Sequence, residues 1–185
     1  MPLYLIRHPR TLAPADVCYG SSDVAVAPET LEACLRALLS DPRLPRGLPI
    51  HSSPLRRSLG LARALAQHWS LPAPVVDPRL AEMHFGDWEL RRWADIPRHE
   101  VDAWAADMAG HRPGNGESVS QAAQRVIAFR NEMAARGGDV CVVCHAGTIR
   151  LLRAAADGHA PIERVAHAAA RDTTPIEYGE LVVLP

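Results

Sequence analysis

The chain has 185 residues, 48% of them hydrophobic and 22% charged, the balance of a soluble globular protein with room for a substantial core. Its formal net charge of −1 supplies no field to recruit nucleic acid or an anionic membrane surface. No apolar run approaches the ~20 residues of a membrane helix, and the N-terminus lacks the charge-then-apolar order of a signal peptide, so the chain reads as cytoplasmic.

The first predicted element is a strand, Leu3–Arg7 (LYLIR), followed directly by His8. An apolar strand needs no pair of cationic side chains at its end for stability, whereas a site that binds and attacks a dianion does. Apolar residues at Leu31, Leu35, Leu38 and Leu39 predict a helix over Thr30–Ser40. The Pro- and Arg-rich stretch 41–49 then reads as a connection within one domain. A second strand, Pro49–Ser53, runs into SSPLRR, and the spacing of Leu55, Leu59, Ala62, Leu65 and Ala66 predicts a helix over Leu55–Trp69. Pro74–Asp77 is a third strand inside another Pro-rich connection. A weaker helical pattern covers His99–Met108. The longest helix, Val119–Arg136, carries Val126, Phe129 and Met133 on one stripe, with Ser118 or the turn before it as the cap. A Val-rich strand Val140–His145, a helix Ile149–Ala156 and a last strand Gly179–Leu184 complete the series.

Strands separated by helices predict an α/β fold: a three-layer α-β-α sandwich around a mainly parallel sheet, with residues 1–185 as one domain. In such sheets chemistry gathers beyond the C-terminal strand ends. Three predicted strands end there in Arg7-His8, in SSPLRR and in Cys144-His145-Ala146-Gly147, which delivers two histidines and several arginines to one rim.

Cys18, Cys34, Cys141 and Cys144 read as reduced thiols of a cytoplasmic protein. CVVCH at 141–145 matches the C-x-x-C-H pattern of haem attachment and also permits a structural metal site. Both readings require the two sulfurs to converge. On a strand, positions three apart face opposite sides, which weighs against either.

LIRHPRT at 5–11, SSPLRRS at 52–58, LAEMHFGDWE at 80–89, GNGES at 114–118 and VVCHAGTIR at 142–150 occur in the order in which the histidine phosphatase (phosphoglycerate-mutase-like) superfamily carries its motifs. The chain resembles that superfamily over essentially its whole length. The resemblance implies a metal-independent phosphomonoesterase with no cofactor, acting on a small-molecule phosphate ester. His8 is implied as the nucleophile, Arg7 and Arg57 as the guanidinium forks that pair with phosphate oxygens, and His145 as a further donor. Imidazole has a reference pKa of about 6.5, and neighbouring arginines push it down and keep His8 neutral and nucleophilic. A backbone carbonyl is expected to hold its other ring nitrogen. Glu82 is implied as the general acid, its carboxyl partly desolvated by Met83-His84-Phe85 and Trp88. Ser53, Glu117 and Ser118 resemble positions near the family's phosphate pocket, and Ser22 and Arg10 are further candidates for substrate contact.

The chain departs from the family pattern at Pro9 and Arg10, where Gly-Glu is commoner, and at Leu90, where Gly usually follows Trp-Glu. Pro9 removes a backbone N–H and Arg10 adds a charge. VCYGSSDVAV at 17–26 and the segment from HFGDWE to RPGNGES are most similar to the branch that dephosphorylates α-ribazole 5′-phosphate in cobalamin synthesis. The chain has neither the insertion nor the C-terminal tail of phosphoglycerate mutases, which favours hydrolysis over transfer. The alternatives are a mutase or a broad sugar and nucleotide phosphatase of the same fold. From another class, a haem- or metal-binding module or a non-catalytic phosphate-binding protein remains open.

Overall fold

A computed structural model describes residues 2–185. Five strands, β1 (Leu3–Arg7), β2 (Ile50–Ser52), β3 (Val75–Val76), β4 (Val140–Cys144) and β5 (Leu181–Leu184), form one sheet in the order β3-β2-β4-β1-β5. All pairings are parallel except the antiparallel β1–β5 edge. The helices are α1 (Pro28–Leu39), α2 (Arg56–His68), α3 (Arg98–Ala106), α4 (Val119–Arg136), α5 (Ala146–Ala154) and α6 (Ile162–Arg171). The expected α/β architecture is the observed one.

The alternation along β4 builds the layers. Val140, Val142 and Cys144 point into a core shared with α4, α5 and α6, where Val126, Phe129, Met133, Ile149 and Leu152 are fully or almost fully buried. Cys141 and Val143 point to the opposite face and pack with Leu38 of α1 and Leu61 and Leu65 of α2. The two sulfurs of CVVCH thus lie on opposite sides of the sheet and cannot converge on one ligand. Burial alone pushes the Cys141 thiol up to about 12, the signature of an inert apolar thiol.

Element boundaries shift modestly from the sequence reading. Helix α1 begins at Pro28, whose fixed φ suits a first helical position. Helix α5 starts immediately after His145 and so places main-chain N–H groups beside the site. Ser118 caps α4 in a reciprocal capping box with Gln121. Helix α6, to which the sequence reading assigns no element, buries Val165, Ala166 and Ala169. A third small cluster, Trp88 with Cys18 and Ile96, forms over the 77–118 segment, and the Trp88 indole N–H donates to Glu100 at 2.7 Å. Trp93 and Trp104 stack on each other beside it. Among the described residues no helix is long and apolar enough to cross a membrane.

Candidate active site

Sheet register sets the site. Arg7 at the end of β1 is level with Cys144 at the end of β4, and Ser52 of β2 with Val143. The ladder runs one residue further on both sides, with His8 N–H donating to the Cys144 carbonyl at 3.0 Å and Ser53 N–H to the Val143 carbonyl at 3.0 Å. His8, His145 and Ser53 are therefore neighbours by backbone geometry. The rings of His8 and His145 lie 5.1 Å apart, centroid to centroid.

The His8 Nδ1–H donates to the Pro9 carbonyl at 2.8 Å, so the neutral ring presents an unprotonated Nε2. Burial, the Arg57 charge and then the Arg7 charge pull its pKa down to about 3, against the opposing Pro9 hydrogen bond. His145 is fully buried, and burial with the Arg57 charge holds it well below the ordinary histidine value. Its Nδ1 accepts from Arg57 Nε at 3.3 Å, while its Nε2 lies 2.8 Å from Ser53 Oγ. Both ring nitrogens are engaged within the protein, and Ser53 orients the ring through Nε2.

Arg57 sits in the first turn of α2 and is almost wholly buried, unlike its exposed neighbour Arg56. Asp23 fixes the start of that helix by accepting the Arg56 N–H at 2.7 Å. The Arg57 guanidinium donates to the Ser22 carbonyl at 2.7 Å and to the Gly20 carbonyl. Arg7 is held by the Ile176 carbonyl, and its guanidinium lies 3.7 Å from the Tyr178 ring centroid, a close cation–π contact.

Glu82 reaches the rim from the segment after β3. Its carboxylate accepts Gly147 N–H in the first turn of α5 at 3.1 Å and Met83 N–H at 3.1 Å. A Cβ at position 147 would overlap this carboxylate, so only glycine permits the approach. The expected partner Trp88 belongs instead to the third cluster, and what holds Glu82 is the helix N-terminus. Beside Glu82 opens a cleft of about 470 Å³ lined by Tyr19, Met83, Phe85, Trp104, Met108 and Leu151, with Arg150 as its cation.

The other candidate residues separate. Ser22 gives its hydroxyl to Glu89 at 2.5 Å and its carbonyl to Arg57. Arg10 is exposed, with its guanidinium 5.9 Å from the Tyr178 ring. Glu117 is paired through both oxygens with Arg125, at 2.8 and 2.9 Å, and Ser118 is occupied as the α4 cap. Both side chains are hydrogen-bonded within the fold. Arg125 in turn donates to the carbonyls of Arg79 and Ala81, so this pair braces the segment that carries Glu82.

Three residues went unread in the sequence. Tyr178 stands 5.6 Å from the His8 ring, centroid to centroid, and its hydroxyl lies 3.3 Å from that of Tyr19, which accepts from Thr11 at 3.0 Å. The loop before β5 thus brings an aromatic ring to His8. The third is Glu89, within reach of the 20–22 loop.

The profile of the histidine phosphatase superfamily (branch 1) matches residues 3–178. The chain is 33% identical over 161 residues to an adenosylcobalamin/alpha-ribazole phosphatase of Escherichia coli, covering 82% of this chain and 77% of that one. The crystal structure of a putative alpha-ribazole-5′-P phosphatase from Escherichia coli superposes with a TM-score of 0.82 at 26% identity, covering 99% and 89% of the two chains. A mycobacterial glucosyl-3-phosphoglycerate phosphatase, in complex with VO3, superposes with a TM-score of 0.74 at 27% identity, over 90% and 86%.

Proposed function

The chain belongs to the histidine phosphatase superfamily and is a phosphoric monoester hydrolase, and from that premise we propose that it works through a phosphohistidine at His8 on α-ribazole 5′-phosphate. The observation that carries the mechanism is the His8 tautomer: Nδ1 is tied to the Pro9 carbonyl, and Nε2 is left as a neutral nucleophile among two arginines. Nε2 attacks phosphorus as the ester oxygen leaves, and Arg7 and Arg57 neutralise the equatorial oxygens. Glu82 in its protonated form delivers that proton to the departing alkoxide, and as the resulting carboxylate takes one from the water that attacks the phosphohistidine. In the tautomer protonated at Nδ1, with Nε2 accepting from Ser53 Oγ, His145 leaves the Arg57 Nε–H and donates to the transferring phosphoryl group. Arg7 and Arg57 supply the charge neutralisation that a divalent cation provides in other phosphoryl-transfer sites.

The cleft beside Glu82 supports the choice of ester. Its aromatic and thioether lining suits a planar apolar base better than a doubly charged glycerate, for which Arg150 is the cation in the lining. The likeness to glucosyl-3-phosphoglycerate phosphatase supports a glycosylated glycerate phosphate as the second reading. Ranking kcat/KM over a panel containing α-ribazole 5′-phosphate, 3-phosphoglycerate and its glycosylated form, sugar phosphates and nucleoside monophosphates in the presence of EDTA decides between them. A first place for α-ribazole 5′-phosphate supports the proposal, and a flat ranking or another ester in first place removes it. Trapping ³²P on wild type and not on His8→Ala tests the intermediate.

A further inference from the structure

The Glu89 carboxylate lies in a cup of donors. It accepts the successive main-chain N–H groups of Gly20, Ser21 and Ser22 at 3.0, 2.9 and 3.1 Å. It also takes the hydroxyls of Ser21 and Ser22 at 3.2 and 2.5 Å and the Phe85 N–H at 2.9 Å. Three consecutive N–H groups turned to one anion form a nest, and here the protein fills its own nest with a side chain. With the N–H groups of this loop turned to Glu89, the carbonyls of Gly20 and Ser22 are left to the Arg57 guanidinium. Gly20 is obligatory for this closeness, since a Cβ there would run into the Met83 carbonyl and the Phe85 ring.

Arg57 has five N–H donors. One from Nε goes to His145 and one from each terminal nitrogen to this loop, so one on each terminal nitrogen has no partner among the described residues. That leaves one free N–H on each terminal nitrogen, on a guanidinium whose place is set by where the two carbonyls stand.

We propose that Glu89 is a positioning residue for the phosphate-binding guanidinium, acting through the 20–22 loop whose carbonyls aim Arg57. The inference rests on the reading of Arg57 as the phosphate fork. It does not depend on which ester is hydrolysed. Burial opposes ionisation of Glu89, but the hydrogen bonds from Ser22, Gly20, Phe85 and Ser21 outweigh it and hold the carboxyl down to about 2, so the anion stays in its cup at any working pH.

The test uses the full-length protein with Glu89→Gln, which retains the side chain's size while removing its charge and turning an NH2 group toward N–H donors. A remote core variant, Val126→Ala on α4, serves as the stability control. Two quantities are read: inhibition by orthovanadate and the ¹⁵N-resolved Nε–H resonance of Arg57. For Glu89→Gln the vanadate inhibition constant should rise about 10- to 100-fold, the size expected when a binding group is misplaced by roughly an ångström. The Arg57 resonance should shift or broaden, while Val126→Ala at matched stability leaves both as in wild type. A folded Glu89→Gln protein with wild-type vanadate inhibition and an unmoved Arg57 resonance overturns the proposal. If that variant does not fold, Ser22→Ala decides by the same two readings, with a several-fold loss expected and no change overturning it. A wild-type protein that binds no vanadate, yet whose Arg57 resonance moves in Glu89→Gln, retires the reading of Arg57 as the phosphate fork and leaves the Glu89–Arg57 coupling standing.

Discussion

His8 and His145 face each other 5.1 Å apart, centroid to centroid, because β1 and β4 pair in parallel with Arg7 level with Cys144, so the residue after each strand is the neighbour of the other. The same burial that makes both rings neutral sets the acid stability of the fold. Each is protonated in the unfolded chain below about pH 6.5 but resists protonation when folded. The unfolded state then binds more protons, so stability is whole above pH 6.5 and falls as the pH drops from there toward about 3, the His8 value. Each histidine contributes a slope of up to about 1.4 kcal/mol per pH unit in that window. Urea titrations of wild type and His8→Ala at pH 7.5, 6.0 and 5.0 should show the variant gaining on wild type as the pH falls. Parallel stability curves would remove His8 as a source of the acid loss.

The nucleophile assignment predicts that His8→Ala abolishes turnover while far-UV circular dichroism and cooperative melting persist. Below neutrality the acid limb of kcat/KM should not show a group near pH 6.5 belonging to His8, since its folded value lies near 3. Residual hydrolysis by His8→Ala at a tenth of the wild-type rate or more would reassign the attack.

Arg57→Ala leaves the carbonyls of Gly20 and Ser22 and the Nδ1 of His145 without their donor. Orphaning buried partners of a charged group costs on the order of 2–5 kcal/mol, so both vanadate affinity and folding stability should fall. Arg56→Ala, at an exposed position paired with Asp23, should change vanadate affinity little. Equal effects of the two substitutions, measured by vanadate inhibition and urea melts, would show that position in α2 rather than burial matters.

Much of this was legible in the sequence, for physical reasons. His8 and His145 follow apolar strands and Arg57 opens a helix, and apolar periodicity locates strand ends well, whereas Glu82, in a loop after β3, was signalled only by the family motif around it. The opposite faces of Cys141 and Cys144 follow from the strand period of two. Glu89 and Tyr178 were not legible. Glu89 acts on main-chain N–H groups almost seventy positions away, and amide groups look the same whatever residue bears them. Tyr178 gains its place from the antiparallel return of β5 along β1, a long-range pairing with no local signature. The partner of Glu117 was not legible either: Arg125 lies two helical turns on.

Leu90 holds φ 63°, the left-handed region that costs a branched L-residue about 1–2 kcal/mol, and its side chain is largely exposed. Leu90→Gly relieves that strain at a cost of about 0.5–1 kcal/mol in unfolded-chain entropy, for a net gain of up to about 1.5 kcal/mol and a few degrees in Tm. The Leu90 N–H bond to the Cys18 carbonyl, 2.7 Å, is backbone and survives the change. A melting temperature that falls on Leu90→Gly would mean the side chain contributes packing that outweighs the strain.

Gly147 and Glu82 allow the acid to be displaced without altering it. Alanine at 147 puts a methyl group where the carboxylate sits and weakens its hold on the α5 N-terminus. If Glu82 protonates the leaving oxygen, Gly147→Ala and Glu82→Gln should both slow alkyl phosphates by about 10²–10⁴-fold, the range of general acid catalysis. Both should slow p-nitrophenyl phosphate far less, because its phenolate leaves without a proton. Arg57 stands on another element, so vanadate inhibition should change little in Gly147→Ala. Equal slowing of alkyl and aryl esters in both variants would assign Glu82 to phosphate binding, and a rise in the vanadate inhibition constant beside it would confirm that reassignment.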